Sequence, residues 1–297
     1  MSTEAKGARY ADLDLWPTSE AVMAMLEGQL GAGAAVLPQT EAIARAADEA
    51  AARLRDRKGR LIYVGAGTSA RIAVQDGVEL GPTYGWDSER TAYLIAGGTD
   101  ALLSSVEGAE DDFAAGEGGM LGLGPGSNDV VVGLAASGRT PYTLAAVQAA
   151  LPGGALTIGI ANNGGTPLLQ MVTHPILLDT GAEVIAGSTR MKAGTAQKIA
   201  LNLFSTAVML RLGGVYKGLM VSMRASNDKL RRRAVDMICE IAGVGAPVAQ
   251  EALAQADGDI KLAALIALGG NPASSRTILA EAEGNLRSAM RNFKAGE

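Results

Sequence analysis

Five short apolar runs recur along the chain, each bounded by glycine or small polar residues. Runs of this length, without alternating apolar and polar positions, are typical of strands buried on both faces of a parallel sheet. The runs lie at residues 61–64, 93–96, 130–135, 156–160 and 175–178. The pattern therefore predicts a five-stranded, mostly parallel sheet.

Stretches with helical spacing of apolar residues separate these runs. They cover about residues 69–80, 99–106, 141–151 and 166–171. Strands that alternate with helices indicate a doubly wound α/β domain, in which helices cover both faces of the sheet. We predict that fold class.

The parts of the chain that flank this pattern are predicted to be helical. The pattern of residues 17–58 predicts two helices, and that of residues 187–213 predicts one long buried helix. After about residue 224 the pattern is helical and no strand is indicated. We expect an N-terminal helical segment at 1–58, an α/β domain at 59–223 and a small helical region at 224–297.

The composition of the 297 residues excludes several kinds of site. The single cysteine, Cys239, excludes an intramolecular disulfide and a cysteine-cluster metal site, and the single histidine, His174, excludes centres that need two histidines. The net charge of −5, with no long Lys/Arg run, argues against nucleic-acid binding. We therefore expect no metal and no nucleic-acid partner.

The distribution of apolar residues bears on the compartment. No window approaches about 18 uninterrupted apolar residues, the length of a membrane span. The N-terminal residues lack the apolar core of a signal peptide. We expect a cytoplasmic protein with no membrane partner.

The loop after the first predicted strand, Gly65-Ala66-Gly67-Thr68-Ser69-Ala70-Arg71, has the features of an anion site. Glycines allow a tight turn, and the free N–H groups at the start of the next helix attract an anion. The hydroxyls of Thr68 and Ser69 add donors, which suits a phosphate monoester. The loop lacks the third glycine of the dinucleotide motif G-x-G-x-x-G, and an ordinary strand–helix turn is the alternative.

A second loop, Ala135-Ala136-Ser137-Gly138-Arg139-Thr140-Pro141, also follows a predicted buried strand. It offers hydroxyls at Ser137 and Thr140, a turn at Gly138 and a helix start at Pro141. Ligands of open α/β sheets bind at the carboxyl ends of the strands, so both loops are expected at one edge. Two such loops favour a phosphate site over two ordinary capped turns.

A third polar segment, residues 187–198, precedes the long apolar helix. Ser188, Thr189 and Lys192 predict a polar wall around an anionic sugar, or else a helix cap and solvent-facing side chains. Among the acidic residues, Glu79 has apolar neighbours, so partial burial is expected to raise its pKa. The residues alone do not distinguish Glu79 and Glu110 from the other acids.

Taken together, these segments resemble the N-acetylmuramic acid 6-phosphate etherases, a family of the sugar isomerase (SIS) domain superfamily. The resemblance extends from about residue 59 to the end of the chain. The matching strings lie at residues 59–69, 94–98, 106–111, 129–142, 187–198 and 218–221.

The resemblance implies a catalytic pair. Glu79, in the string Glu79-Leu80-Gly81-Pro82-Thr83, matches the family's acid, and Glu110 matches its second glutamate. The implied reaction cleaves the lactyl ether of N-acetylmuramic acid 6-phosphate to N-acetylglucosamine 6-phosphate and D-lactate, without a metal or nucleotide cofactor. Glu110 would remove the C2 proton of the open-chain sugar, Glu79 would protonate the departing lactate oxygen, and water would add at C3.

Further site residues and a partner follow from the same resemblance. The phosphate hydroxyls correspond to Thr68, Ser69, Ser137 and Thr140. SIS domains commonly form dimers that share the site, and the apolar helices at 17–58 and 187–213 are the candidate interface. The sugar-binding set is completed by Gly67, Gly138, Arg139, Ser188, Thr189 and Lys192, and Arg71, Arg139 and Lys192 are the candidates for the lactate carboxylate.

Three other functions remain as alternatives. A non-catalytic sugar-phosphate regulator needs the phosphate loops but no paired acid and base. A sugar-phosphate isomerase would also act at C2, but the etherase-like strings are far more specific than the generic SIS pattern. A nicotinamide-dependent dehydrogenase is disfavoured because the third glycine of its motif is missing.

Overall fold

A five-stranded parallel sheet forms the centre of the fold. The computed structural model describes residues 2–55, 58–225 and 227–295. The strands are β1 (Leu61–Gly65), β2 (Thr91–Ile95), β3 (Val130–Leu134), β4 (Leu156–Ala161) and β5 (His174–Leu177). Their order in the sheet is β2-β1-β3-β4-β5, and each pair of neighbours is parallel. Every residue of β1, β3 and β4 is buried, which confirms the predicted α/β fold.

Helices surround the sheet and make up the C-terminal part of the chain. The first seven are α1 (Thr18–Val36), α2 (Thr40–Leu54), α3 (Gly67–Tyr84), α4 (Phe113–Leu123), α5 (Pro141–Ala150), α6 (Pro167–Met171) and α7 (Lys192–Arg211). The last five are α8 (Asp228–Ala242), α9 (Ala246–Gln255), α10 (Ile260–Ala267), α11 (Pro272–Glu281) and α12 (Leu286–Ala295).

The contacts between residues divide the chain into two compact units. The first consists of Met1–Gly77 and Glu89–Ala207, and the second of Val78–Ser88 and Val208–Glu297. The second unit has its own apolar core, to which α8 to α12 contribute residues such as Ile238. The domain boundaries expected from the sequence stay a prediction.

The prediction of a helix at residues 99–106 is wrong. Only a 3₁₀ turn forms there, at Thr99–Leu102, and the helix before β3 is α4 instead. The apolar pattern of α4 is obscured by glycines, which disfavour helix in isolation. At Gly116 a Cβ atom would overlap the carbonyl oxygen of Tyr142 in α5, so glycine permits close helix packing. The glycines of α4 are Gly116, Gly118, Gly119 and Gly122.

The stretch Thr18–Leu54, which comprises α1 and α2, is long and apolar enough to cross a membrane by length and composition alone. A core helix of a soluble protein passes the same test, and α8 with α9 passes only as a pair bent by 108°. The sequence expectation rested on uninterrupted apolar residues, whereas polar residues interrupt this stretch. Only 22% of the apolar window is buried, and within the stretch α2 packs its buried face on β3, β4 and β5.

A buried carboxylate connects three elements of the first unit. Asp76 of α3, 5% exposed, accepts hydrogen bonds from Tyr63 Oη at 2.8 Å, Asn202 Nδ2 at 2.7 Å and Ser205 Oγ at 3.0 Å. Burial, together with the charge of Asp76, raises the pKa of Tyr63 well above its usual value and that of Tyr93 to about 12. These bonds fix α3 against β1 and α7.

Candidate active site

A cavity of about 440 Å³, called the main cavity below, lies at the carboxyl ends of β1 and β3. Both hydroxyl-rich loops reach it, as the sequence predicts for ligand sites in open α/β sheets. From the two loops come Gly67, Thr68, Ser69, Ser137, Arg139 and Thr140, and from other parts of the first unit come Glu4, Glu110, Asp111 and Thr189.

The first loop combines backbone and hydroxyl donors. α3 begins at Gly67, whose φ is +51°, and the first N–H groups of a helix have no partner within the helix. They suit an anion, as does the half-buried hydroxyl of Thr68. Ser69 behaves differently, because its Oγ donates to Gln197 Oε1 at 2.9 Å. Because its hydroxyl proton is used in this bond, Ser69 can only accept hydrogen bonds from a group in the cavity.

Gln197 is a contributor that the sequence prediction missed. Its side chain is 1% exposed, and its Nε2 donates to Asn162 Oδ1 at 2.9 Å. Asn162 Nδ2 in turn donates to the carbonyl oxygen of Leu178 at 3.0 Å. This buried chain orients Ser69, and no local sequence pattern joins residues so far apart along the chain.

The second loop is shaped by Gly138, whose φ is +64°. A Cβ atom there would overlap the side chain of the buried Thr166, so both conformation and space require glycine. Ser137 Oγ accepts from the backbone N–H of Arg139 at 3.1 Å and keeps its proton for a ligand. Thr140 immediately precedes α5 and adds a second hydroxyl.

Glu110 lies on a 3₁₀ turn, Ala109–Asp111, between β2 and α4. Its side chain is exposed and lines both the main cavity and an adjoining one of about 400 Å³. Gly108, with φ +72°, leads into the turn, and Asp112 caps α4 by accepting from the N–H of Ala115 at 2.9 Å. The turn therefore presents a solvated carboxylate beside the phosphate loops.

The three candidate cations differ in their contacts. Arg71 donates through Nε and Nη2 to the carbonyl oxygens of Ala101, Leu102 and Ser104 at 2.8 to 3.2 Å, so it holds the polypeptide before Glu110. Lys192 Nζ donates to the carbonyl oxygen of Ala182 at 2.8 Å. Arg139 is exposed and lines the main cavity.

The segment before α7 is brought only in part to the cavity. Thr189 lines it, whereas Ser188 and Lys192 are not among the described residues that do. Glu183, 1% exposed, accepts from the backbone N–H groups of Lys192 at 3.1 Å and Ala193 at 2.8 Å. This buried cap of α7 was another contributor that the sequence prediction missed.

Glu79 belongs to the second compact unit and is exposed. The expectation that its apolar neighbours bury it is wrong. Successive residues of a helix point about 100° apart. Leu80 accordingly enters the core at 2% exposure while Val78 is 54% exposed. The role of Glu79 therefore stays a prediction from the resemblance.

Comparison with known protein families and solved structures supports the fold. The glucokinase regulatory protein N-terminal SIS domain matches residues 42–151, and the SIS domain matches residues 125–207. A proposed phosphosugar isomerase involved in capsule formation from Bacteroides fragilis superposes with a TM-score of 0.50 at 20% identity, over 68% of this chain and 95% of that chain. The common feature is the SIS fold.

Curated relatives cover nearly the whole chain. An N-acetylmuramic acid 6-phosphate etherase from Deinococcus radiodurans is 48% identical over 92% of this chain and 90% of its own. Etherases from Streptomyces avermitilis and Salmonella choleraesuis are each 43% identical over 98% of this chain, and over 93% and 98% of their own. Identity at this level over the full length establishes the family that the motifs predicted: the chain belongs to the N-acetylmuramic acid 6-phosphate etherases.

Proposed function

We propose that this family member cleaves the D-lactyl ether of N-acetylmuramic acid 6-phosphate, giving N-acetylglucosamine 6-phosphate and D-lactate. The relatives that carry this name match 92% to 98% of the chain. The observation that supports it most is the placement of Glu110 in one cavity with both hydroxyl-rich loops. A sugar phosphate held by the loops would therefore have the carboxylate of Glu110 in the same cavity.

The phosphate is the part of the substrate that the two loops bind. Hydroxyl protons of Thr68, Ser137 and Thr140 and the free N–H groups at the start of α3 would surround its oxygens. Ser69 supports this arrangement through Gln197 instead of donating to the phosphate. Binding energy from the phosphate would position the reacting carbons, which lie several bonds away.

Opening of the sugar makes the chemistry accessible to carboxyl groups. An alkyl ether is a poor leaving group, but the C1 aldehyde of the open form makes the C2 proton acidic. Glu110 is the proposed base at C2, and the electron pair released from the C2–H bond expels lactate from C3. Proton transfer of this kind typically contributes about 10²–10⁴-fold to the rate.

Glu79 is the proposed acid that protonates the departing lactate oxygen. Its assignment rests on the family string that surrounds it. Water then adds to C3 of the unsaturated aldehyde and restores the hydroxyl. Arg139 is the proposed partner of the lactate carboxylate, because this residue lines the cavity whereas the guanidinium of Arg71 is bound to backbone carbonyls.

The proposed assembly is a homodimer with the site near the subunit interface, in the cytoplasm. Val22, Leu26 and Leu30 of α1 are spaced by four residues, so they share one helix face, and each is at least half exposed. Contiguous exposed apolar patches mark interaction sites, which supports this proposal. A second copy of the chain is its proposed partner.

The decisive experiment measures D-lactate release from N-acetylmuramic acid 6-phosphate by the wild type and by Glu79→Ala and Glu110→Ala. We expect release by the wild type and a loss of at least about 100-fold in each variant. Glu117→Gln, an exposed carboxylate of α4, is the matched control and should keep the wild-type rate. A wild type that binds the sugar phosphate without releasing lactate would instead identify a regulator.

A further inference from the structure

A short N-terminal segment, Ser2–Glu4, is anchored at the carboxyl edge of the sheet. Asn163, which follows β4, donates from Nδ2 to Thr3 Oγ1 at 3.0 Å and accepts at Oδ1 from Ser2 Oγ at 3.1 Å. Thr3 is 1% exposed and Asn163 4% exposed, so the anchor is buried. The N–H of Gly187 also donates to the carbonyl oxygen of Thr3 at 3.1 Å.

The anchor is connected to the phosphate loop. Asn163 Nδ2 also donates to the carbonyl oxygen of Ala136, the residue before Ser137, at 2.9 Å. Gly187 adopts φ +75°, and a Cβ atom there would lie 2.8 Å from Glu4 Oε2. Glycine at this position therefore lets the Glu4 carboxylate lie against the backbone. The segment and the loop form one wall of the cavity.

Glu4 itself lines the main cavity. Among residues 2–55, 58–225 and 227–295, no side chain or backbone donor forms a hydrogen bond with its carboxylate. A carboxylate repels both the phosphate and the lactyl carboxylate of the substrate, so neither group is its partner. It is suited to accept a charge-assisted hydrogen bond from a neutral hydroxyl.

The substrate limits which hydroxyl this can be. In N-acetylmuramic acid 6-phosphate, C2 carries the acetamido group, C3 the ether and C6 the phosphate. The ring form leaves free hydroxyls at C1 and C4, of which that of C4 is nearer the phosphate; ring opening adds a hydroxyl at C5, which an analogue lacking only the C4 hydroxyl distinguishes from it. On this chemistry we propose that Glu4 binds the C4 hydroxyl and so contributes to substrate specificity. The inference rests on the proposed binding of the sugar phosphate in the cavity.

The test compares Glu4→Gln and Glu4→Ala with the wild type. We expect kcat/KM for lactate release to fall about 10–100-fold, with the larger loss in Glu4→Ala, because a charge-assisted hydrogen bond is lost. Inhibition by inorganic phosphate should stay within twofold of the wild type or become stronger, because the phosphate loops are intact and a negative charge is gone. Glu20→Gln, an exposed carboxylate of α1, is the matched control.

A second substrate identifies the hydroxyl. With the 4-deoxy analogue, wild type and Glu4→Gln should have the same kcat/KM, because the proposed partner is missing in both. An undiminished effect of Glu4→Gln on the analogue would overturn the proposal. An unchanged kcat/KM on the natural substrate would also overturn it. So would a loss of phosphate inhibition as large as the loss of kcat/KM, which would mean that the segment only supports the loop.

The variant Glu110→Ala separates this inference from the proposed function. Wild-type lactate release by Glu110→Ala would overturn the placement of the reaction in this cavity, and the role of Glu4 with it. Loss of release in Glu110→Ala, combined with wild-type kinetics in Glu4→Gln, would overturn the role of Glu4 alone.

Discussion

The role of Glu110 as a base can be tested separately from the rest of the proposed reaction. The side chain is exposed and lies on a turn instead of a helix or strand. Its proposed task, removal of the C2 proton, is separable from cleavage of the ether. An isotope experiment can therefore examine Glu110 independently of lactate release.

We expect Glu110→Gln to lose exchange of the substrate C2 hydrogen with solvent, because the amide cannot accept that proton. Proton NMR in deuterium oxide would follow the exchange, and the rate should fall by about 10²–10⁴-fold. Glu79→Gln should keep exchange while lactate release falls. If Glu110→Gln keeps the wild-type rate of C2 hydrogen exchange, Glu110 is not the base at C2. Either the roles of the two glutamates are then reversed, or Glu110 takes no part in the reaction.

Gly138 gives a second prediction at the residue scale. Alanine there would adopt a left-handed conformation at a cost of about 1–2 kcal/mol, and its Cβ would also overlap Thr166. We expect Gly138→Ala to lower the melting temperature and to raise the KM for the sugar phosphate. Gly118→Ala meets no atom within 4 Å and serves as the control for an added methyl group. An unchanged KM in Gly138→Ala would show that the loop tolerates another shape.

At the scale of the element, α3 has three functions in the first unit. Its N-terminal end faces the cavity, Arg71 binds the carbonyls of the polypeptide before Glu110, and Asp76 fixes the helix to β1 and α7. We therefore propose Arg71 as a positioning residue, which would act on Glu110 through the backbone. Its effect should be on catalysis more than on binding.

We expect Arg71→Met to lower kcat by up to about 100-fold with little change in KM, because a small displacement of a catalytic group has effects of this size. Hydrogen–deuterium exchange should increase within residues 99–110 and not in β1. Arg45→Met, an exposed arginine of α2, is the control. A wild-type kcat in Arg71→Met would contradict the positioning role.

Sequence patterns predicted strands better than they predicted the connections. Continuous apolar runs such as 130–135 are short and bounded by turn residues, which favours a buried strand, and the loops after β1 and β3 follow from them. α4 was missed because its helix depends on packing against α5, which no local pattern records. Gln197, Glu183 and Glu4 were missed for a related reason, because only the fold brings them to the cavity or to α7.

At the scale of the whole molecule, the exposed apolar face of α1 bears on the oligomeric state. We expect light scattering to give the mass of a dimer for the wild type and that of a monomer for Leu26→Glu with Leu30→Glu. Charges on this face would be buried without partners in a dimer, at a cost that opposes association. Leu121→Glu, on the exposed surface of α4, is the control and should remain dimeric.

Alkaline pH should destabilise the first unit through its tyrosines. The pKa of Tyr93 is raised to about 12 and that of Tyr63 is raised well above its usual value, mainly by burial. An unfolded tyrosine ionises near pH 10, so their contribution to stability is complete below pH 10 and is lost as pH rises towards about 12. Tyrosine absorbance and circular dichroism, measured together from pH 9 to 12.5, should show that the last phenols ionise only as the fold is lost. Complete ionisation near pH 10 with the fold intact would contradict this.

The glycines of α4 also affect the order in which the molecule acquires activity. Each glycine disfavours helix by about 0.5–1 kcal/mol relative to alanine, so α4 has little tendency to form alone. It becomes stable only when α5 provides the surface on which Gly116 packs. The turn that carries Glu110 runs directly into α4 through its cap, Asp112. On the roles proposed for the loops and Glu110, a chain with a completed sheet but an unformed α4 would bind a phosphate group before it could catalyse a reaction.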